Sequence, residues 1–252
     1  MSAPNRKLHP RLSEPTFLLN HAMSRSIRKM VHTLLPTGST DRVLDVGCGR
    51  MPYRPYFEGR CGEYVGCDAF PIDETVVQCP ADAMTFADGT FDMVVAFQVL
   101  EHTDHPWRVV NECFRVTKPG GRCILTAPFL FPHHSSPHDY FRFSHEGLAS
   151  LATDAGYVVD EVVPQCGSLQ TVMMLLAWYN MFPTGWARKL TRSTQVGKLY
   201  GASTTIPLNM LGLLAGAIPY GKKVETGNLG FSNFMLVCSR PLASGEPGGE
   251  RR

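Results

Sequence analysis

From about residue 42 to residue 164, apolar runs of strand length alternate with segments of helix length, and this alternation restricts the fold of the 252-residue chain more than any other feature. The runs are Arg42 to Val46, Glu63 to Cys67, Thr75 to Cys79, Phe91 to Phe97, Arg122 to Ala127 and Tyr157 to Val163; a seventh, Phe231 to Ser239, follows far downstream. Helix candidates lie at about 52–58, 105–117 and 145–155, the last opening on Ser144 as N-cap and closing on Gly156. Parallel strands need crossover connections, and the helices in them cover both faces of the sheet. The expected fold is therefore α/β, a doubly wound, mostly parallel seven-stranded sheet.

Glycine and acidic residues recur where such strands end. The first strand runs into Asp45-Val46-Gly47-Cys48-Gly49, a turn where missing Cβ atoms let the backbone pass close to a ligand. Alone, the same pattern also fits a plain strand-to-helix turn. Asp68 ends the second strand, where a carboxylate can accept both hydroxyls of a ribose, and Asp82 follows the third. The fourth strand delivers Gln98-Val99-Leu100-Glu101-His102 to its carboxyl end, the side on which open α/β sheets bind ligands.

The series Asp45-Val46-Gly47-Cys48-Gly49, Asp68, Asp82, Phe91-Asp92, Leu100-Glu101-His102 and Lys118-Pro119-Gly120-Gly121 resembles that of the class I S-adenosylmethionine-dependent methyltransferases, in their small-molecule group. The resemblance covers about residues 40–164 and implies a Rossmann-like methyltransferase fold with S-adenosyl-L-methionine as cofactor. It places Asp45, Gly47 and Gly49 at the methionine and ribose end, Asp68 on the ribose hydroxyls, Asp82 with Ala83 beside the adenine, and the Gln98 backbone near the sulfonium. Cys48, Ala69 and Val99 complete the cofactor-binding set. The third glycine usual in the family is Met51 here, which implies a looser approach to the cofactor. A dehydrogenase shares the turn and the acidic residue, but its Gly-x-Gly-x-x-Gly spacing fails at Pro52.

Methyl transfer to a hydroxyl needs an aimed nucleophile, excluded water and a proton acceptor. Candidates lie just after the fifth strand, in the segment from Pro128 to Phe143. There the resemblance and the chemistry of imidazole give His134 as general base, with Tyr140 and Arg142 positioning the acceptor. An ion pair between Asp139 and Arg142 that braces the loop is the alternative for those two residues. His102 is read as structural or as orienting the loop, facing the sheet end rather than the open cleft. Three histidines and an aspartate fall within residues 133–139, but their spacing is no recognised ligand pattern, and no metal is expected.

Two pieces stand outside the alternation: a helix candidate at 16–35, and residues 166–228, in which apolar stretches Val172 to Phe182 and Ile206 to Ile218 flank a basic segment with Arg188, Lys189, Arg192 and Lys198. The organisation expected is a helical cap at 1–40, a cofactor-binding core at 41–165, an apolar helical insertion at 166–228 capping the acceptor, a last strand at 229–240 and a disordered tail at 241–252. The insertion's alternative role is peripheral membrane contact, with the basic residues meeting anionic headgroups; Trp178, Tyr179, Phe182 and Trp186 are read as core. A net charge of +2, dispersed, argues against nucleic acid as a partner. Eight scattered cysteines and a polar, proline-bearing start fit a cytoplasmic protein. The function expected is O-methylation of a small-molecule, glycan, lipid-linked or secondary-metabolite acceptor. The alternatives are carbon or nitrogen methylation in the same cleft and a non-catalytic scaffold that keeps the fold.

Overall fold

The structure, a computed structural model, describes residues 5–72, 74–180, 189, 191, 193–217 and 231–242. Its elements in chain order are α1 (Phe17–Leu34), β1 (Arg42–Val46), β2 (Glu63–Asp68), β3 (Val76–Gln78), β4 (Phe91–Phe97), α2 (Pro106–Val116), β5 (Thr117–Pro128), α3 (His145–Asp154), β6 (Val158–Gln165), α4 (Ser168–Tyr179), α5 (Thr194–Gly216) and β7 (Asn233–Ser239). Seven strands form one sheet in the order β3-β2-β1-β4-β5-β7-β6. The pairs β1–β2, β1–β4, β2–β3 and β4–β5 are parallel, with Leu44 opposite Val65 on one side and Val94 on the other. The α/β, mostly parallel architecture expected from the alternation is the one observed.

Chain order reverses direction between β1 and β4, so their carboxyl ends lie side by side and open the crevice where ligands of such sheets bind. Both strands are apolar and buried almost throughout, as strands covered on two faces must be. α2 starts with Pro106 in its first turn and buries Val109, Val110, Cys113 and Val116, a stripe of helical period. Its last carbonyls are satisfied from β7's far end: Arg240 donates to the carbonyls of Phe114 (2.7 Å), Arg115 (3.0 Å) and Thr117 (2.6 Å). α3 is capped by Ser144, whose hydroxyl accepts from the Gly147 N–H, and the chain leaves it through Gly156 at φ 104°.

Two expectations about elements need correction. The helix expected at 52–58 is only a 3-10 turn, Arg54–Tyr56, because Pro52 and Pro55 remove the donors a longer helix would need. The fifth strand starts at Thr117 instead of Arg122 and so takes in Lys118-Pro119-Gly120-Gly121. A Cβ at Gly121 would stand 2.8 Å from the Lys118 carbonyl and 2.9 Å from that of Asp92, which is why glycine occupies that close backbone approach.

The chain divides into two compact units. One, the described parts of Met30–Pro128, His133–Val163 and Phe234–Arg252, holds almost the entire sheet with α2 and α3. The other, the described parts of Met1–Lys29, Phe129–Pro132 and Pro164–Asn233, is mainly helical. In it α4 packs on α5, and the buried Asn209 amide donates to the carbonyls of Leu12 (2.7 Å) and Glu14 (2.9 Å). Of the aromatic group read as core, Trp178 is half-buried edge-on to Phe131, Tyr179 is 59% exposed, and Phe182 and Trp186 lie outside the described residues. Arg188, Arg192, residues 218–228 and the tail from 243 onward lie outside them as well. All eight cysteines are free thiols, seven of them buried.

Candidate active site

The glycine turn after β1 is built from three consecutive alternate residues in the left-handed region, Gly47 at φ 61°, Gly49 at 52° and Met51 at 48°. A Cβ at Gly47 would lie 2.7 Å from a Val99 methyl, so only glycine leaves the turn where it is. Met51 adopts a left-handed backbone conformation that glycine favours and turns its side chain into a small cluster with Cys48, Val76 and Tyr64. The side chain is thereby absorbed by packing.

Asp68, at the end of β2, ties this turn to its own strand. One carboxylate oxygen accepts the Gly49 N–H at 2.9 Å and the other the Phe70 N–H at 2.9 Å. Each oxygen retains a second lone pair for a ligand. At the end of β4, Gln98 sits at φ 58°, a strained conformation for a side chain of this size, and is held there by Thr126. The Thr126 carbonyl and hydroxyl both take the Gln98 N–H at 3.1 Å, and the Gln98 amide donates to the same hydroxyl at 3.2 Å.

These pieces wall a cavity of about 600 Å³, ample for a nucleoside-sized ligand. Of the residues expected to bind cofactor, Gly47, Asp68, Ala69, Asp82, Gln98 and Val99 line it. Asp45, Cys48, Gly49 and Ala83 are not among its lining residues. Asp45 instead lies behind the turn, 2% exposed, where the Tyr64 hydroxyl donates to it at 2.6 Å. Burial pushes its carboxyl up to about 7, aided by the nearby Asp68 charge and opposed by the Tyr64 hydrogen bond. Phe70, 85% exposed beside Asp68, also borders the cavity, as does Pro80. Neither was singled out from sequence; the spacing of Phe70, two residues after the strand-ending Asp68, is the signal that could have done so.

A salt-bridged brace supports the Asp82 side. Arg115 donates to Glu112, Asp88 and the carbonyls of Met84 and Phe86, while Glu112 accepts the Met84 N–H at 2.7 Å. Arg115 beside it holds the Glu112 carboxyl below its ordinary range.

The segment after β5 supplies the opposite wall. Arg142 grips Asp139 through both nitrogens, and Asp139 also accepts the His134 N–H at 2.8 Å, which closes residues 134–142 into a ring. The loop is joined to the end of β4 where the Tyr140 N–H donates to the Glu101 carbonyl at 2.8 Å and His102 Nδ1 meets the His138 carbonyl at 2.7 Å. Tyr140 and His102 line the cavity; His134 and Arg142 are not among its lining residues. Thus His102 faces the cleft, contrary to expectation, because the 3-10 turn Leu100–His102 ends with its ring under the loop. His134 stands edge-on behind it at 5.0 Å, and Glu101, fully buried, comes within 3.8 Å of His102 Nε2.

Residues 44–125 match a family model described as a methyltransferase domain. The chain is 37% identical over 101 residues to a protein of Mycobacterium sp. (strain KMS) named an uncharacterized methyltransferase, covering 36% of this chain and 39% of that one. A similarly named protein of Mycobacterium leprae (strain Br4923) is 30% identical over 117 residues, 42% of this chain and 43% of its own. The chain thus spans about two fifths of the length of these curated relatives. Among solved structures, phosphoethanolamine N-methyltransferase 2 of Haemonchus contortus in complex with S-adenosyl-L-methionine superposes with a TM-score of 0.55 at 16% identity, over 95% of this chain and 60% of that one. The [4+2]-cyclase SpnF gives 0.55 at 16% identity, over 87% and 82%. Sheet order and the cavity at the β1–β4 reversal coincide with the family match, and over residues 44–125 the chain is similar to the methyltransferase-domain family.

Proposed function

We propose that the protein is an S-adenosyl-L-methionine-dependent methyltransferase that acts on a hydroxyl oxygen of a small-molecule, glycan, lipid-linked or secondary-metabolite acceptor. The observation that carries the reading is the cavity wall formed by Gly47, Asp68 and Gln98 at the carboxyl ends of β1, β2 and β4. The residues present fit the cofactor: a glycine that a Cβ would force into Val99 gives the backbone room for close approach, and Asp68 offers lone pairs toward ribose hydroxyls. Asp82 and the exposed face of Phe70 would border the adenine. When bound, the cofactor supplies an electrophilic methyl on a cationic leaving group.

This chain's residues supply positioning and proton removal. His102 is the better proton acceptor than His134, since its ring reaches the cavity. Its Nδ1–H directed to the His138 carbonyl leaves Nε2 as the basic nitrogen. Tyr140, 48% exposed on the cavity, would orient the acceptor, while Arg142 acts through Asp139 on the shape of the loop.

Calorimetry with S-adenosylmethionine and S-adenosylhomocysteine tests the cofactor; absence of binding by either leaves the scaffold reading standing. SpnF, which shares the fold, is named a cyclase, so the fold by itself does not establish methyl transfer. A methyl-labelled transfer screen with mass spectrometry of the product then assigns oxygen, nitrogen or carbon. His102→Ala is expected to lower turnover by about 100-fold or more, and His134→Ala by less.

A further inference from the structure

Two helices of the helical unit turn large apolar residues outward. α5 buries Gly197, Thr205, Asn209, Gly212 and Ala215, small or polar residues, and exposes Leu199 (73%), Met210 (53%), Leu211 (54%) and Leu214 (68%). Their spacing places the exposed residues on a single stripe of the helix and the buried ones on the opposite stripe. α4 repeats the pattern: Thr171, Met174 and Ala177 are buried, while Val172, Leu176 and Tyr179 are exposed. The small inner residues permit close packing, since a Cβ at Gly212 would overlap Leu18 and one at Gly216 would overlap Gln170. Small residues between helices and large apolar ones outside are what helices facing lipid use.

Charge identifies what covers this face. From Val162 to Val224 the chain has no aspartate or glutamate, and it carries Arg188, Lys189, Arg192, Lys198, Lys222 and Lys223. A second copy would set like charge against like, whereas an anionic bilayer complements it. Among the described residues no helix is long and apolar enough to cross a membrane, so the contact suited to α5 lies in the interface plane. Lys198, in the first turns of α5, is exposed on a different side of the helix from the leucine stripe and adds to the positive charge of this part of the chain.

We propose that α4 and α5 form a peripheral docking face for an anionic lipid bilayer, with Leu199, Leu211 and Leu214 inserted among the headgroups. The proposal stands apart from the catalytic reading and does not depend on it.

The test is sedimentation of the full chain with phosphatidylcholine vesicles, with and without phosphatidylglycerol, at low and high salt. The chain is expected to pellet with the phosphatidylglycerol vesicles and to be released by salt. The triple variant Leu199→Glu, Leu211→Glu, Leu214→Glu is expected to weaken binding at least about tenfold with an unchanged circular dichroism spectrum and Tm. Lys198→Glu is the second variant should the triple one unfold, and it too is expected to reduce pelleting. Wild-type protein that stays in solution with anionic vesicles at low salt overturns the proposal, as do variants that bind like wild type. Light scattering that shows a wild-type dimer split by these substitutions reassigns the face to self-association.

Discussion

Arg142 holds Asp139 at two points, Nη1 to Oδ1 at 2.6 Å and Nη2 to Oδ2 at 2.7 Å, around a carboxylate side chain only 1% exposed. The guanidinium, assisted by the His134 N–H, keeps the Asp139 carboxyl far below the ordinary carboxylate range. The pair therefore shapes the loop that carries Tyr140.

Arg142→Ala is expected to lower stability by about 2–3 kcal/mol, because it strands a buried carboxylate, with Arg142→Lys restoring part of the loss. Urea unfolding measures both. Since the folded carboxyl is depressed, its stabilisation is full above the unfolded value near 4 and is lost only as pH falls well below it. Equal stability of all three proteins at neutral pH would contradict the grip's importance.

Asp45 has the opposite sign. Its folded value of about 7 lies above the ordinary 3.8, so its contribution is complete below about pH 4 and is lost as pH rises toward 7. Across that window stability is expected to fall by about 1.4 kcal/mol per pH unit relative to Asp45→Asn, in which this slope vanishes. Parallel unfolding curves of the two proteins between pH 4 and 7 would remove the effect.

Asp68→Asn keeps the size of the side chain but replaces one acceptor oxygen with a donor, which opposes the N–H of Gly49 or Phe70. Affinity for S-adenosylhomocysteine is expected to drop about 10- to 100-fold by calorimetry. Unchanged affinity would place the ribose elsewhere.

Gly47→Ala drives a Cβ to 2.7 Å from Val99 at a backbone φ of 61°. Cofactor affinity is expected to fall by more than about tenfold, and Val99→Ala in the same chain to recover part of it by removing the methyls in the way. Absence of any recovery would locate the penalty in the backbone alone.

Strand alternation and the residues at strand ends were enough to read the sheet, its seven strands and six of the cavity-lining residues, because parallel strands and close backbone approach leave strong local patterns. What escaped was long-range. Asp92 and Lys118 both belong to legible motifs, yet only the structure pairs them at 2.8 Å, from the start of β4 to the start of β5. From sequence, His102 reads as structural or loop-orienting and His134 as the base, yet it is the His102 ring that lines the cavity, since sequence gives the imidazoles but not which ring the loop pushes forward. Likewise Asp45 is in the right motif, but its Tyr64 partner comes from a neighbouring strand and turns it inward. The inverted face of α5 was hidden for a simple reason: a mixture of leucines, glycines and threonines at helical spacing does not declare which side is inside.

The position of β7 bears on how the chain assembles as it is synthesised. β7 lies between β5 and β6, both of which precede it in sequence, and Arg240 just beyond it is the group that satisfies the end of α2. Until residues 233–240 have been synthesised, β5 and β6 lack the strand that joins them and the last carbonyls of α2 lack their Arg240 donor. The protein therefore reaches its native hydrogen-bond complement only when residues 233–240 leave the ribosome, and a ribosome stalled before that point holds an open-edged intermediate for chaperones to shield.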